Sequence, residues 1–237
     1  MRLDKYLSDC GAATRSEAKK LIRGGRVTVD GIAAKKGEQQ VSEESAVCLD
    51  GTKLCYRRFV YLMMNKPPDV VSATHDARKR TVIDLLPKEY LHFNLFPVGR
   101  LDIDTQGLLI LTNDGAFAHE LTAPKKKVYK TYVATLDKPI EEEDVRMFRE
   151  GIELGEDFVT KPAYLQRGES EREAVIQICE GKFHQVKRMC ASVGKHVESL
   201  KRIAIGGLYL DEQLSPGSVR EITEKEKELL KKERQNG

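Results

Sequence analysis

The apolar residues near the start of the chain recur with the period of helices. One face of a first helix is formed by Leu3, Tyr6 and Leu7. A second helix is predicted to begin near Arg15, because Thr14 and Glu17 have the spacing of a capping box, in which each residue satisfies a backbone N–H group of the other. Gly24 and Gly25 end this periodic pattern, so the sequence predicts two short helices.

A strand pattern follows the two helices. Residues 26–29 alternate polar and apolar side chains, and the next pair, Asp30 and Gly31, is typical of a hairpin turn. Residues 42–58 are predicted to form a last strand and a linker. The first 58 residues are therefore expected to fold as a small unit of helices and a hairpin.

Apolar runs of strand length recur further along the chain. Residues 59–64 form one such run, which Pro67 and Pro68 stop because proline cannot donate to a β ladder. Residues 108–111 are predicted to be a buried strand, and residues 129–133 alternate as a half-buried strand does. These runs indicate a sheet in the second part of the chain.

Helices are predicted near the end of the chain as well. A helix should run from about residue 183 to a glycine cap at Gly194. Its apolar stripe is predicted to contain Phe183, Val186, Cys190 and Val193. The tail from Glu221, a balanced mixture of glutamate and lysine, is predicted to be a surface helix.

The composition is that of a globular protein without a membrane segment. Apolar residues make up 40% of the 237 residues, which is enough for a hydrophobic core. No apolar run is long enough for a signal peptide or a membrane span. The five cysteines are scattered, with neither a disulfide framework nor a metal-ligand spacing. We therefore expect a cytoplasmic protein with reduced thiols, no metal site and no membrane partner.

Basic residues are concentrated near the N-terminus, although the net charge is only +3. Residues 1–36 hold nine Lys or Arg against four Asp or Glu. Four of them share the exposed side of the predicted second helix, and we call this group the basic ridge: Arg15, Lys19, Lys20 and Arg23. Further clusters lie at 125–130 and 182–188. A single cluster is usually a solvated surface, but three beside structured motifs favour phosphate binding.

About the first fifty residues resemble the S4 RNA-binding domain. The resemblance is carried by RLDKYL at 2–7, RSEAKKLI at 15–22 and GRVTVDG at 25–31. It implies recognition of structured RNA through phosphates and shape rather than through base edges. The RNA-binding residues expected here are Arg2, Lys5, Arg15, Lys19, Lys20, Arg23 and Arg26.

Two acidic residues stand in a loop before the buried strand at 108–111. Asp102 and Asp104 are explained as turn caps about as well as by a functional site, because aspartate favours turns and polar loops beside core strands often hold sites. By position alone, both interpretations stay open.

The segment around these acids resembles the signature loop of pseudouridine synthases. It reads GRLDIDTQGLL at 99–109, and the matching segments KTYV at 130–133 and EGKFHQVKRMCASVG at 180–194 follow in the order of that family. The resemblance implies that Asp102 is the catalytic nucleophile. We expect Asp104 to point elsewhere and to structure the loop.

The reaction that this resemblance implies needs one carboxylate and no cofactor. The bond between uracil N1 and ribose C1′ breaks, the base turns, and its C5 joins the same C1′. The carboxylate either forms a covalent adduct or takes a proton from C2′ to give a glycal, and the sequence leaves both routes open. The nucleotide has to leave its helix, because the base cannot turn inside a stack.

The resemblance also assigns the neighbours of the nucleophile. Tyr132 would stack on the uracil while its hydroxyl assists proton removal from C5, and strand alternation puts Lys130 on the same face, where it contacts RNA. Lys187 would keep Asp102 ionised and oriented. Two further basic residues are expected at the RNA, Arg188 as a contact and Arg100 either as a base-displacing side chain or as a phosphate contact.

Together these observations predict an α+β protein of two domains. Residues 1–58 would form an αL-like S4 domain with its linker, and residues 59–237 a catalytic domain on a mixed, largely antiparallel sheet with peripheral helices. KRIAIGGL at 201–208 and LSPGSVREITE at 214–224 resemble small-subunit ribosomal RNA pseudouridine synthases of the RsuA type. That resemblance implies uridine 516 of 16S rRNA as the target.

We expect a monomer that acts on ribosomal RNA within an assembly intermediate. Two other functions stay open at this point. One is a large-subunit rRNA pseudouridine synthase, which shares the S4 domain and the loop around Asp102. The other is a ribosome assembly factor without catalysis, against which the intact set of Asp102, Tyr132 and Lys187 argues.

Overall fold

The computed structural model describes residues 1–123, 126–155 and 158–231. The chain divides into two compact units, of which the first contains residues 1–60 and 87–95 and the second residues 61–86 and 96–237. The segment 87–95 thus belongs to the first unit, although it lies inside the region 59–237 that we assigned to catalysis. Within the described ranges, no helix has the length and apolar character needed to cross a membrane.

The first unit is built from two short helices and a four-stranded antiparallel sheet of order β2-β1-β3-β4. Its elements are α1 (Leu3–Asp9), α2 (Arg15–Arg23), β1 (Val27–Val29), β2 (Ile32–Ala33), β3 (Val47–Leu49) and β4 (Thr52–Lys53). The predicted capping box starts α2, where the Glu17 N–H group donates to Thr14 Oγ1 and the Thr14 N–H group donates to Glu17 Oε2. The predicted helices and hairpin are confirmed.

The hairpin turn depends on left-handed backbone angles. Asp30 has φ 51° and Gly31 has φ 82°, which is what a two-residue turn between right-twisted strands requires. Behind the hairpin, Leu3, Tyr6, Leu7, Ile22 and Val27 pack in the core of the unit. A 3₁₀ helix, Lys88–Phe93, also belongs to this unit.

The second unit is built on a nine-stranded sheet. Its elements are β5 (Tyr61–Lys66), a 3₁₀ helix (Ile83–Leu85), β6 (Phe96–Pro97), β7 (Gln106–Thr112), α3 (Gly115–Thr122), β8 (Lys130–Leu136), α4 (Glu142–Glu150), β9 (Tyr164–Arg167), β10 (Glu173–Ile178), α5 (Gln185–Ser192), β11 (Val197–Ile205), β12 (Leu208–Tyr209), β13 (Val219–Glu221) and α6 (Glu224–Lys231).

The strands run in the order β13-β5-β7-β11-β8-β10-β9, with β12 beside β11 and β6 beside β7. β7 and β11 are parallel, and the other described neighbours are antiparallel. One hydrophobic cluster of the unit joins β7, α3 and α6 and contains the buried residues Leu108, Ile110, Phe117, Leu121 and Leu230. The expected α+β class with a mixed, largely antiparallel sheet is confirmed.

Several boundaries differ from the sequence-based predictions. Residues 42–58 contain two strands, β3 and β4, where the sequence predicts one. Strand β5 continues to Lys66, so it ends only where Pro67 removes the next donor. Helix α5 begins at Gln185, and Phe183 lies before it with 76% of its surface exposed, so the prediction that Phe183 belongs to the apolar stripe is wrong. The predicted tail helix is present as α6, while residues 232–237 of that tail lie outside the described residues.

Candidate active site

The loop that carries Asp102 is held by its backbone. It connects β6 to β7, and the Ser72 hydroxyl bonds the residue before Asp102 twice, donating to the Leu101 carbonyl at 2.9 Å and accepting from the Leu101 N–H group at 3.1 Å. The Thr105 N–H group donates to the Asp102 carbonyl at 3.1 Å, which closes a turn. The carboxylate of Asp102 is thus presented from a tight turn and not from an extended segment.

A buried lysine completes this support. Lys66, at the end of β5, is fully buried, and its ammonium donates to the carbonyls of Ile103 and Thr105 at 3.1 and 2.9 Å, and to that of Pro67 at 3.0 Å. An ammonium has three protons, so each can serve one carbonyl. Burial lowers the pKa of Lys66 to about 8, against the opposing effect of Asp104 and Asp102.

Two basic side chains approach the Asp102 carboxylate. His184 Nε2 lies 3.6 Å from Asp102 Oδ1, and Lys187 Nζ lies 3.9 Å from Asp102 Oδ2. The Asp102 side chain is 30% exposed, so the pair acts on a carboxylate that is partly withdrawn from water. The Lys187 ammonium places a positive charge beside this carboxylate, whereas His184 is charged only when its ring is protonated.

Lys187 makes its hydrogen bonds to Asp104. Its ammonium lies 2.6 Å from both Asp104 oxygens, and this contact lowers the pKa of Asp104 below its ordinary value. The expectation that Asp104 points away from the site is therefore wrong, because residues 102–105 form a turn that brings both carboxylates to Lys187. The predicted pairing of Lys187 with Asp102 is present only as the longer contact.

The segment before α5 carries His184 in an unusual backbone conformation. His184 has φ 49° and ψ 33°, in the left-handed region, and its ring stacks on Phe183 with centroids 3.8 Å apart. The Gln185 amide fixes the same segment, since its Nε2 donates to Glu180 Oε1 at 2.8 Å and its Oε1 accepts from the Lys182 N–H group at 2.9 Å. These contacts hold the imidazole beside Asp102.

Two cavities meet at Tyr132. The first, of about 70 Å³, is lined by Arg100, Asp102, Tyr132, Ile178, His184 and Lys187 among others. The second, of about 140 Å³, shares Arg100, Tyr132 and Gly181 with the first and adds Lys130, Glu180 and Arg202. As predicted, Lys130 and Tyr132 share one face of β8. The structure thus places an ionisable carboxylate, an aromatic hydroxyl and several cations around one small opening.

Comparison with known proteins identifies the chemistry for which this arrangement is built. A family model described as RNA pseudouridylate synthase matches residues 60–192, and an S4 domain model matches residues 1–47. The chain belongs to the RNA pseudouridylate synthase family. It is therefore an enzyme of the pseudouridine synthase class with an N-terminal S4 domain.

Relatives of this pseudouridine synthase match over nearly their whole length. The protein named uncharacterized RNA pseudouridine synthase YtzG of Bacillus subtilis is 45% identical over 234 residues, covering 97% of this chain and 98% of the relative. Ribosomal small subunit pseudouridine synthase A of Escherichia coli K12 is 40% identical, covering 95% and 98%. A crystal structure of pseudouridylate synthase superimposes with a TM-score of 0.69 at 38% identity, covering 97% and 99%.

The basic ridge of the synthase lies on the exposed side of α2. Its four members are exposed. Together with Arg2 they line one open concave surface. Ala18 and Ile22 of the same helix are buried, which confirms the predicted two-sided helix. The ridge is therefore positioned to meet a polyanion without disturbing the core.

Four other basic candidates bond to groups of the protein itself. In the S4 domain, Arg2 pairs with Asp4 and Glu38, Lys5 with Asp9, and Arg26 with Asp50. Arg188 donates to the Leu154 carbonyl. Of the predicted cluster at 125–130, Lys125 lies outside the described residues. These pairings reduce the positive charge that Arg2, Lys5 and Arg26 can offer to RNA.

Sequence reasoning missed two residues of the site. Lys66 lies beyond the apolar run 59–64 and directly before two prolines, so the hydrophobic pattern gives no signal that its side chain is buried. His184 falls within the helix that the sequence predicts from about residue 183, yet it precedes α5 and faces Asp102. Its left-handed backbone, which histidine adopts more readily than most residues, was not visible in the hydrophobic pattern.

Proposed function

We propose that this synthase isomerises uridine 516 of 16S ribosomal RNA, with Asp102 as the nucleophile. The observation that carries the chemistry is the position of the Asp102 carboxylate at a small cavity that it shares with Tyr132 and two basic groups. The ribosomal substrate is supported by the relative named ribosomal small subunit pseudouridine synthase A, which matches nearly the full chain.

Each neighbour of Asp102 has a role in this proposal. Lys187 and His184 orient the carboxylate, so that it can add to the substrate or take the C2′ proton. Both routes fit the site. Asp104 shares Lys187 and so fixes the position of the ammonium. Arg100, which lines both cavities, either displaces the target base from its helix or contacts a phosphate.

Tyr132 serves the second half of the reaction. After C5 has joined C1′, C5 must lose its proton. N1, which is no longer bonded to the sugar, gains a proton. The Tyr132 ring is 8% exposed and lines both cavities, so it offers a face for stacking and a hydroxyl near the base. The isomerisation balances without an oxidant, a reductant or a cofactor.

The two parts of the chain divide the work. Residues 1–58 bind RNA, chiefly through the basic ridge, and residues 59–237 carry out the reaction, with Lys130 and Arg188 as further contacts to the RNA. The enzyme acts as a monomer in the cytoplasm, on ribosomal RNA within an assembly intermediate of the small subunit.

Pseudouridine mapping tests this function. Ribosomal RNA from cells with and without the protein should differ at position 516 of 16S rRNA, and purified protein should restore the modification in vitro. A difference confined to 23S rRNA would move the enzyme to the large subunit. Unchanged RNA in both subunits would contradict the ribosomal substrate.

Neutralising the basic ridge is expected to weaken RNA binding and its dependence on salt. The variant changes Arg15, Lys19 and Arg23 to glutamine. Each lost phosphate contact lowers the slope of log K against log salt concentration by about 0.7 to 0.9, so the slope should fall by about 2. Turnover at saturating RNA should persist, because these residues lie on α2 of the first unit.

The control variant changes three exposed lysines outside the ridge to glutamine, Lys53, Lys201 and Lys225. It removes the same net charge, so it separates a local contact from a general electrostatic effect. Equal slopes for the two triple variants would mean that the ridge is only a solvated surface.

Changing Tyr132 to phenylalanine is expected to slow the overall reaction and to let the rearranged base accumulate with its C5 proton still present. The phenyl ring keeps the stacking and lacks the hydroxyl, so only proton removal is impaired. Tyr132→Leu should instead cost about 1 to 3 kcal/mol of base binding. Deuterium at C5 reports the step directly. If the phenylalanine variant has the wild-type rate and shows no isotope effect, the Tyr132 hydroxyl does not remove the proton, and the role of Tyr132 is stacking.

A further inference from the structure

The second cavity holds two cations on neighbouring strands. Lys130 begins β8, and Arg202 lies on β11 directly opposite Tyr132 of β8. Alternation along β8 puts Lys130 and Tyr132 on one face, and all three residues line the cavity. Two positive side chains are thus gathered in a recess of about 140 Å³ next to the catalytic cavity.

The Arg202 guanidinium is buried with an unused donor. Only 4% of the residue is exposed, and its Nε donates to the Leu108 carbonyl at 2.8 Å. Its Nη2 is buried and finds no hydrogen-bond acceptor within the described part of the chain. A buried donor without an acceptor destabilises the folded protein, and more so when the group is charged, so the fold alone does not explain it.

The backbone around Arg202 is fitted closely. Gly107 of the signature loop segment has φ 100°, and a Cβ atom at that position would overlap the Arg202 carbonyl. Glycine therefore allows β7 to lie against β11 at the residue that carries the guanidinium. The backbone of Arg202 is therefore held in place by its neighbours in the sheet.

The acid in this cavity is already engaged elsewhere. Glu180 Oε1 accepts from the Lys161 N–H group and from Gln185 Nε2, at 2.9 and 2.8 Å. Among the described residues, no ion pair joins Glu180 to either Lys130 or Arg202. Burial, and then the charge of Arg202, lower the pKa of Lys130 to about 8, against the opposing effect of Cys179 and Glu180.

We propose that Lys130 and Arg202 form a phosphate subsite, which binds the phosphate group on one side of the isomerised uridine. A phosphate group has several acceptor oxygens, so it can serve the free Nη2 of Arg202 and the ammonium of Lys130 together. The cavity adjoins the one at Asp102 and shares Arg100 and Tyr132 with it, so its ligand belongs to the same nucleotide or the next. This inference rests on the proposed RNA substrate.

The subsite has a function in positioning. A phosphate held beside Tyr132 fixes the sugar of the displaced nucleotide, so that C1′ and C2′ face Asp102 while the base remains free to turn. Detachment of the base from the sugar leaves the phosphate contact intact, because the phosphate stays on the ribose. The subsite therefore holds the RNA throughout the rearrangement.

Charge removal on the RNA and on the protein together tests the subsite. The target RNA is prepared with a neutral methylphosphonate at the linkage 5′ or 3′ of the target uridine, and binding is measured with Asp102→Asn protein so that the RNA is not converted. At one of the two linkages we expect a loss of affinity of about 10-fold or more. With Lys130→Met added, the same methylphosphonate should cost less than about 2-fold.

Two controls keep the result interpretable. Lys201→Met removes an exposed lysine of the same strand as Arg202 and should retain the full methylphosphonate penalty. Arg202→Lys keeps a charge in the cavity if truncation of the arginine prevents folding, and it should show an intermediate penalty. Equal penalties in the Lys130→Met protein and its parent at both linkages would overturn the subsite.

A separate arm distinguishes RNA phosphate from free phosphate. If inorganic phosphate stabilises the wild type but not Lys130→Met against thermal unfolding, while neither methylphosphonate has an effect, the cavity binds free phosphate and the RNA assignment is overturned. Failure of pseudouridine formation by the wild-type protein on ribosomal RNA would contradict the proposed function itself, and the binding comparison does not depend on that outcome.

Discussion

Asp102→Asn is expected to abolish isomerisation while leaving RNA affinity within about threefold of the wild type. The amide keeps the shape of the carboxylate, but it can neither attack the sugar nor accept a proton. Loss of the central catalytic group should lower kcat by at least about 10⁴-fold. Lys187 keeps its two contacts with Asp104 in this variant, so the positive charge of the site remains compensated.

The matched control is Asp104→Asn, two residues further along the same turn. Both carboxylates face Lys187, but the Asp104 side chain is 62% exposed against 30% for Asp102. We expect the Asp104 variant to keep activity within about 10-fold, because it loses a partner of Lys187 and not the nucleophile. The reverse pattern, with an active Asp102→Asn and an inactive Asp104→Asn, would assign the nucleophile to Asp104.

Lys66→Met is expected to damage both stability and turnover. Methionine preserves much of the buried stem but leaves the carbonyls of Pro67, Ile103 and Thr105 without their donor. Since an unsatisfied buried acceptor costs about 1 to 3 kcal/mol, the free energy of unfolding should fall by about 2 to 4 kcal/mol after partial relaxation. The turn that carries Asp102 then shifts, and a misplacement of about 1 Å costs about 10²-fold in kcat.

Urea unfolding and single-turnover kinetics measure these two effects. RNA affinity should change little, so the loss appears in kcat and not in KM. The control, Lys201→Met, removes an exposed lysine of β11 in the same unit and should leave both quantities near the wild type. A Lys66→Met protein with wild-type kcat would show that the Asp102 turn holds its conformation without the ammonium.

The sequence predicted those elements well whose ends are set by residues close together in the chain. The capping box of Thr14 and Glu17 set the start of α2, because both halves of the motif lie within one turn of helix. The turn at Asp30 and Gly31 is equally local, since its backbone angles depend on those two residues. The resemblance of residues 99–109 then predicted which loop would meet Tyr132 and Lys187 in one cavity.

The remaining features depend on contacts between distant parts of the chain. Lys66 bonds carbonyls of residues 103 and 105, which no periodic pattern relates to it. His184 has a left-handed backbone and directly precedes α5. Phe183 therefore lies outside the helix and is exposed, although its spacing from Val186 and Cys190 suits the apolar stripe. The joint contact of Lys187 with both acids depends on the turn at 102–105 and on the approach of α5, which comes from a distant part of the chain.

The residues that hold the Asp102 loop in place are expected to tolerate mutation less than some residues of the loop itself. Lys66 and Ser72 bond the backbone of the loop, so they impose its path whatever side chains it carries. Ile103 can therefore be varied in a library without reshaping the loop, whereas Lys66 and Ser72 should accept few replacements. For engineering, Ile103 is a variable position in a loop whose backbone path Lys66 and Ser72 fix, so its side chain can change while the nucleophile stays in place.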